Sequence, residues 1–181
     1  FLFLGNIRSS LIIVTTLVLS PLLTFMVMNH YRLSANLMSL GGMAIAIGLI
    51  VDGSVVVVEN AYRQLGQRPG QSRLRVVLEA ATEVGTPVLF GVGIIILVFL
   101  PLMSLHGMEG KMFAPLAYTV AIALVMSLIL SLTLTPALSS YLLKGRAHHE
   151  TKLLAFLKKP YLRVLHFVLE RSWLTVLGAV A

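Results

Sequence analysis

Asn36-Leu-Met-Ser-Leu-Gly-Gly-Met-Ala-Ile-Ala-Ile-Gly-Leu-Ile-Val-Asp-Gly-Ser-Val-Val-Val-Val-Glu-Asn60 is the stretch that decides the fold. It is long enough and apolar enough to cross a bilayer, which takes about 20 such residues. Asp52 is the one charge between Leu33 and Val58, and Glu59 follows two helical turns later. A carboxylate at membrane depth is costly unless it faces a protein interior or a water path. Asp52 is therefore a candidate for binding a proton or an ion during transport, against the plainer reading of a structural hydrogen bond to a neighbouring helix. Residues seven apart fall near one helix face, so Met38, Ile45, Asp52 and Glu59 share a stripe. Asp52 and Glu59 are separated by roughly 10 Å of rise. That is too far to share a proton but suits two stations linked by water. Glu59 also has its own plain reading, a charge solvated at a helix end.

Gly41, Gly42, Ala44, Ala46, Gly48 and Gly53 surround the stripe. Small residues let membrane helices approach closely, so this helix is expected at the centre of a bundle with Asp52 buried. Three more runs have spanning length: Ser9–Met28, Val84–Leu105 and Met112–Leu143, none of them charged. The fold class is all-α, a polytopic transmembrane helix bundle. Across the 181 residues, 57% are hydrophobic and only 7 are acidic, a balance that excludes an ordinary soluble domain. No cysteine is present, so disulfides and thiolate metal sites are excluded.

The net charge of +7 is not distributed as a nucleic-acid surface. Arg63, Arg68, Arg73 and Arg75 share one loop, and Lys144, Arg146, Lys152, Lys158, Lys159, Arg163 and Arg171 share another. The intervening loops hold only Arg32 and Lys111. Lys and Arg concentrate on the cytoplasmic side. Arg8 and the two basic segments are thus expected in the cytoplasm, with His30–Ala35 and His106–Lys111 facing outward. Gln64–Ser72, with Gly66, Pro69 and Gly70, reads as a flexible turn. Lys152–Glu170 has the pattern of an amphipathic surface helix, kinked or split at Pro160. A linker helix packed on protein is the other reading. The chain opens without Met and ends inside a new apolar run, so it reads as an internal piece of a longer protein, with no signal peptide.

Among possible ligands, Met103, His106, Met108, Glu109 and Met112 cluster at the outward loop between the third and fourth spans. Thioether and imidazole suit Cu(I), and imidazole also suits Zn. The plain reading is membrane Met and an interfacial His. His148 and His149 are adjacent and would point apart on a helix. No phosphate-binding loop or catalytic constellation is visible, so the chain reads as a transporter and not an enzyme, with no cofactor.

The quoted stretch resembles the fourth transmembrane helix of resistance-nodulation-division (RND) efflux permeases. Gly107-Met-Glu-Gly-Lys-Met-Phe-Ala-Pro115 and Leu134-Thr-Pro-Ala-Leu138 resemble the approach to and the end of the sixth, and Phe3-Leu-Gly-Asn-Ile-Arg8 the turn after the second. The resemblance covers essentially the whole chain. It implies the end of helix two over 1–8, helix three over 9–29, helix four over 34–62 and the approach to helix five over 63–83. Helix five would follow over 84–105, helix six over 112–143, a cytoplasmic amphipathic helix over 151–171 and the start of helix seven over 172–181.

The single Asp52-Gly53 and the Glu109-Gly-Lys-Met-Phe113 run are similar to the heavy-metal branch, where multidrug members have two adjacent aspartates. On that resemblance Asp52 is the proton-relay carboxylate, with Glu59 the acid that follows it. Zinc, cobalt and cadmium exporters usually carry an Asp where this chain has Ala46. Met38 matches a pore methionine of copper and silver exporters, while Ile50 and Leu124 stand where further methionines are expected. The resemblance implies a homotrimer in the bacterial inner membrane, a periplasmic adaptor, an outer-membrane channel, the proton motive force as energy source and a metal cation as substrate. An organic-solute pump of the same superfamily is the alternative. A nonfunctional remnant or assembly subunit is another, and flanking reading frames lacking the remaining helices and periplasmic domains would favour it.

Overall fold

The computed structural model of the protein describes residues 6–143, 160–162, 165, 168 and 173. The chain divides into two units, Ile7–His148 and a second made of Phe1–Asn6 with His149–Ala181. The described residues 160–162, 165, 168 and 173 of the second unit are helical. The expectations for 151–171 and 172–181 otherwise lie outside the described residues, as does His148–His149.

The first unit is a helical bundle: α1 Ile7–His30, α2 Leu37–Gln67, α3 Arg73–Met103, α4 Gly107–Leu132 and α5 Leu134–Leu142. No strand occurs among the described residues. Four helical segments are long and apolar enough to cross a membrane, with α4 and α5 together making the fourth. The protein is a multi-pass membrane protein.

α2 is 31 residues long, a rise of about 46 Å against a hydrocarbon core of about 30 Å. Its start is fixed by Asn36, whose side chain accepts a hydrogen bond from the Ser39 N–H at 2.9 Å, satisfying an otherwise orphaned donor. Its apolar period continues past the expected end, because Val57, Val58, Ala61 and Leu65 are all buried. α3 likewise begins at Arg73 instead of Val84. Val76, Val77, Ala80 and Ala81 form a buried face at helical spacing over that added segment. The flexible turn expected over Gln64–Ser72 is thereby shortened to the few residues after Gln67. Glu79 ties the helices across that turn, paired with Arg68 and, at 3.0 Å, with Arg75.

The last span starts at Gly107, so most of the expected outward loop is the first turn of α4. It is interrupted at Thr133. Pro136 lies three residues further on and has no N–H to give the carbonyl of Leu132. The local chain is held instead by Thr133 N–H to Ile129 O at 3.0 Å and Ala137 N–H to Thr133 O at 3.3 Å.

α2 and α4 together form the centre of the unit and share its largest interface. The two run parallel: Gly42 meets Leu116, the Ile50 carbonyl meets Ser127, and Gly53 meets Ser131. A Cβ at Gly42 would lie 2.7 Å from the Leu116 carbonyl oxygen, so glycine is what permits this approach. Met43, Ala46, Ile50 and Ala123 form the buried cluster, with Leu17 of α1 against it. α3 joins mainly through its first turns. Its remainder exposes Leu89, Phe90, Ile94, Leu97 and Val98, as befits helix surface in lipid.

Candidate functional site

Asp52 stands at the midpoint of α2, about 22 Å of rise from either end. The residues around it divide the helix into two faces. Gly42, Met43, Ala46, Ile50, Ser54 and Val57 are buried against the bundle. Gly41, Ile45, Gly48, Asp52, Val56 and Glu59 are exposed. The expected burial of Asp52 therefore does not occur among the described residues. Its carboxylate makes no hydrogen bond or ion pair there. The cause is a split in the small residues. Gly42 and Ala46 serve the packed face, whereas Gly41 and Gly48 have nothing within 4 Å of a Cβ and lie on the acid's face.

The backbone beside Asp52 is nonetheless held. Ser127 donates its hydroxyl to the Ile50 carbonyl at 3.2 Å, linking α4 to α2. A Cβ at Gly53 would stand 3.3 Å from Val88 Cγ1 and 3.6 Å from Ser131 Oγ. Asp52 thus sits between two residues fixed on α3 and α4 while its own side chain points elsewhere. The Ser54 hydroxyl is buried without a partner in this region.

Towards the basic end of α2, Glu59 is exposed and Asn60, next to it, is buried. Asn60 donates through Nδ2 to the Ala80 carbonyl at 2.9 Å and to Glu83 Oε2 at 3.1 Å. Its Oδ1 accepts from Arg63 Nη2 at 2.8 Å. Gln64 donates to the same Glu83 oxygen at 2.5 Å. Sequence reading passed over this network. Its signal was two amides four apart, Asn60 and Gln64, on the apolar face set by Val57, Ala61 and Leu65. Such amides must find partners when buried.

The candidate metal ligands are placed at the other end of the bundle. Met38 is in the first turn of α2 and half-buried. Met103 ends α3, His106 precedes α4 and Met108 is in its first turn, with the latter two exposed. Among the described residues no three His, Asp or Glu side chains converge to hold a metal ion. The buried thioethers are Met28 and Met43, which the sequence did not single out. Met28 accepts a hydrogen bond from Thr119 Oγ1 at 3.7 Å. Ile50 and Leu124 are buried in helix packing, as is Ala46.

The AcrB/AcrD/AcrF family model matches residues 1–181. Protein HelA of Legionella pneumophila is 43% identical over 190 residues, covering 100% of the chain and 18% of that protein. The cobalt-zinc-cadmium resistance protein CzcA of Cupriavidus metallidurans is 45% identical over 170 residues, covering 89% of the chain and 16% of that protein. The cation efflux system protein CusA of Escherichia coli is 37% identical over 181 residues, covering 92% and 17%. The chain thus spans less than a fifth of the length of these relatives.

Proposed function

Because the chain belongs to the AcrB/AcrD/AcrF family of RND permeases, we propose that it is part of the membrane domain of a proton-driven pump exporting heavy-metal cations. The observation that carries this reading is Asp52 at the middle of a membrane-length helix, two residues from the Ile50 carbonyl that Ser127 holds, with its side chain unpaired among the described residues. Low dielectric favours the neutral acid, and a nearby cation favours the carboxylate. A cationic partner that approaches and withdraws across the open face of α2 would load and unload a proton there. Among the described residues no Lys or Arg lies within the central turns of the spans, so that partner belongs to another part of the protein. Glu59 serves as the second station, towards the cytoplasm.

The metal cargo is supported by relatives whose names are cation-resistance and cation-efflux proteins. Met38 and the outer-end Met103, His106 and Met108 are its proposed contacts. The permease acts as a homotrimer in the inner membrane, with a periplasmic adaptor and an outer-membrane channel. The test is export by the full-length permease carrying Asp52→Asn, over copper, silver, zinc, cobalt, cadmium and nickel. The expected result is loss of export at unchanged membrane abundance. Normal export by the variant would refute the relay. A pump that moves dyes or detergents but no metal would establish the organic-solute reading instead.

A further inference from the structure

Glu59 and Arg63 are four residues apart on α2, the spacing at which an acid and a base on one helix pair readily. They do not form an ion pair here. Arg63 turns to the Asn60 amide oxygen at 2.8 Å, although Glu59, Asn60 and Arg63 line one open surface pocket of about 180 Å³ with Val56 and Val84. The guanidinium thus shares one pocket with two acceptors, a neutral amide and a carboxyl group. Which it prefers depends on the charge of Glu59, because hydrogen bonds to ionised acceptors are roughly twice as strong as neutral ones. Asn60 is not a passive acceptor. Its other end is bonded to Ala80 and Glu83 of α3, so releasing Arg63 changes a link between two membrane helices. Among the described residues, Arg63 is the charged group that shares this pocket with Glu59, and Glu83 of α3 is bonded to the neighbouring Asn60 and to Gln64.

We propose that Arg63 is a positioning residue for proton release: it rests on Asn60 while Glu59 is protonated and moves to Glu59 when the proton leaves. The proton passes from the Glu59 carboxyl to cytoplasmic water, and Arg63 stays protonated throughout. Asn60, freed at Oδ1, then signals the release to α3 through Ala80 and Glu83. This rests on the proton-driven reading above and assigns the exit end of its path.

The test uses everted membrane vesicles containing the full-length permease, with the cytoplasmic face towards the bath. The rate at which added Zn²⁺ or Ag⁺ collapses a preformed pH gradient is followed against bath pH. The Arg63 cation favours the ionised carboxylate, so Arg63→Gln should raise the bath pH at half-maximal rate by about one unit. Arg63→Lys should restore most of the wild-type midpoint. Arg63→Met keeps the length of the side chain without its charge and should shift the midpoint the same way, which keeps the test decisive if Arg63→Gln does not reach the membrane. In a Glu59→Gln background neither change should move the midpoint further. Rates lowered equally at all pH values, or a shift that persists without Glu59, would overturn the proposal. Wild-type rates from Asp52→Asn would remove the proton-driven reading and this proposal with it. Loss in Asp52→Asn beside unmoved midpoints in Arg63→Gln and Arg63→Met would remove only this proposal.

Discussion

Ala46 has no accessible surface, and its methyl is enclosed by Met43, Ile50 and Ala123. The resemblance to zinc, cobalt and cadmium exporters makes Asp the natural substitution to try there. The packing argues that this change alone tests stability before selectivity. An unpaired carboxylate would enter a site built for one methyl group, with no donor among those neighbours. Leaving a buried charge uncompensated costs about 3–5 kcal/mol. Ala46→Asp is therefore expected to lower membrane abundance and the temperature at which the solubilised permease aggregates. Wild-type values for both would show that the α2–α4 seam opens more easily than its burial implies. Asp52, six residues on, stands in contrast: it lies on an exposed side of the helix, where Asp52→Asn is isosteric and needs no repacking among the described residues. Its identity and depth were legible from one charge in a long apolar run. Its facing was not, because glycine and alanine occur on both sides of α2 and composition alone does not say which side receives a neighbour.

At the scale of elements, the seam between α2 and α4 depends on Gly42. The Leu116 carbonyl lies where a Cβ would go, and a backbone atom cannot rotate away as a side-chain tip can. Gly42→Ala should force the parallel helices apart, at a cost of about 1–3 kcal/mol for overpacking. Gly48→Ala meets nothing within 4 Å among the described residues and is the matched control. Thermal aggregation of the two full-length variants measures the difference, and equal midpoints would mean that the close approach is not needed. The four spans were legible because each needs an uninterrupted apolar run. Their ends were not. α2 and α3 continue beyond the apolar window as an amphipathic hairpin held by Asn60, Gln64 and Glu83. Burial there comes from a tertiary partner that a single-segment pattern does not reveal. The break at Thr133 had a visible cause in Pro136, but a proline early in a new helical turn reads the same as one that merely bends a helix.

For the molecule as a whole, the alternation of helices puts the turn after α2 at one end of the bundle and the turns after α1 and α3 at the other. Arg63, Arg68, Arg73 and Arg75 crowd the first end, with Arg32 and Lys111 alone at the second among Lys and Arg of these turns. Arg68 and Arg75 are engaged with Glu79. Such exposed pairs are screened by solvent and add little stability, so the arginines are better accounted for by orientation than by stability. Lys and Arg are retained on the cytoplasmic side of membranes, so the arginine-rich end is expected in the cytoplasm. That orientation would run the proposed proton path from the Asp52 level towards Glu59 and Arg63. The chain itself has no cysteine, so single reporters can be introduced into a cysteine-free full-length background. Ser34→Cys and Gln71→Cys occupy exposed positions in turns at opposite ends. In everted vesicles a membrane-impermeant maleimide should label the Gln71→Cys variant directly and the Ser34→Cys variant only after the membrane is opened. The reverse pattern would invert the bundle, place Glu59 at the outer face and exclude it as a cytoplasmic release station.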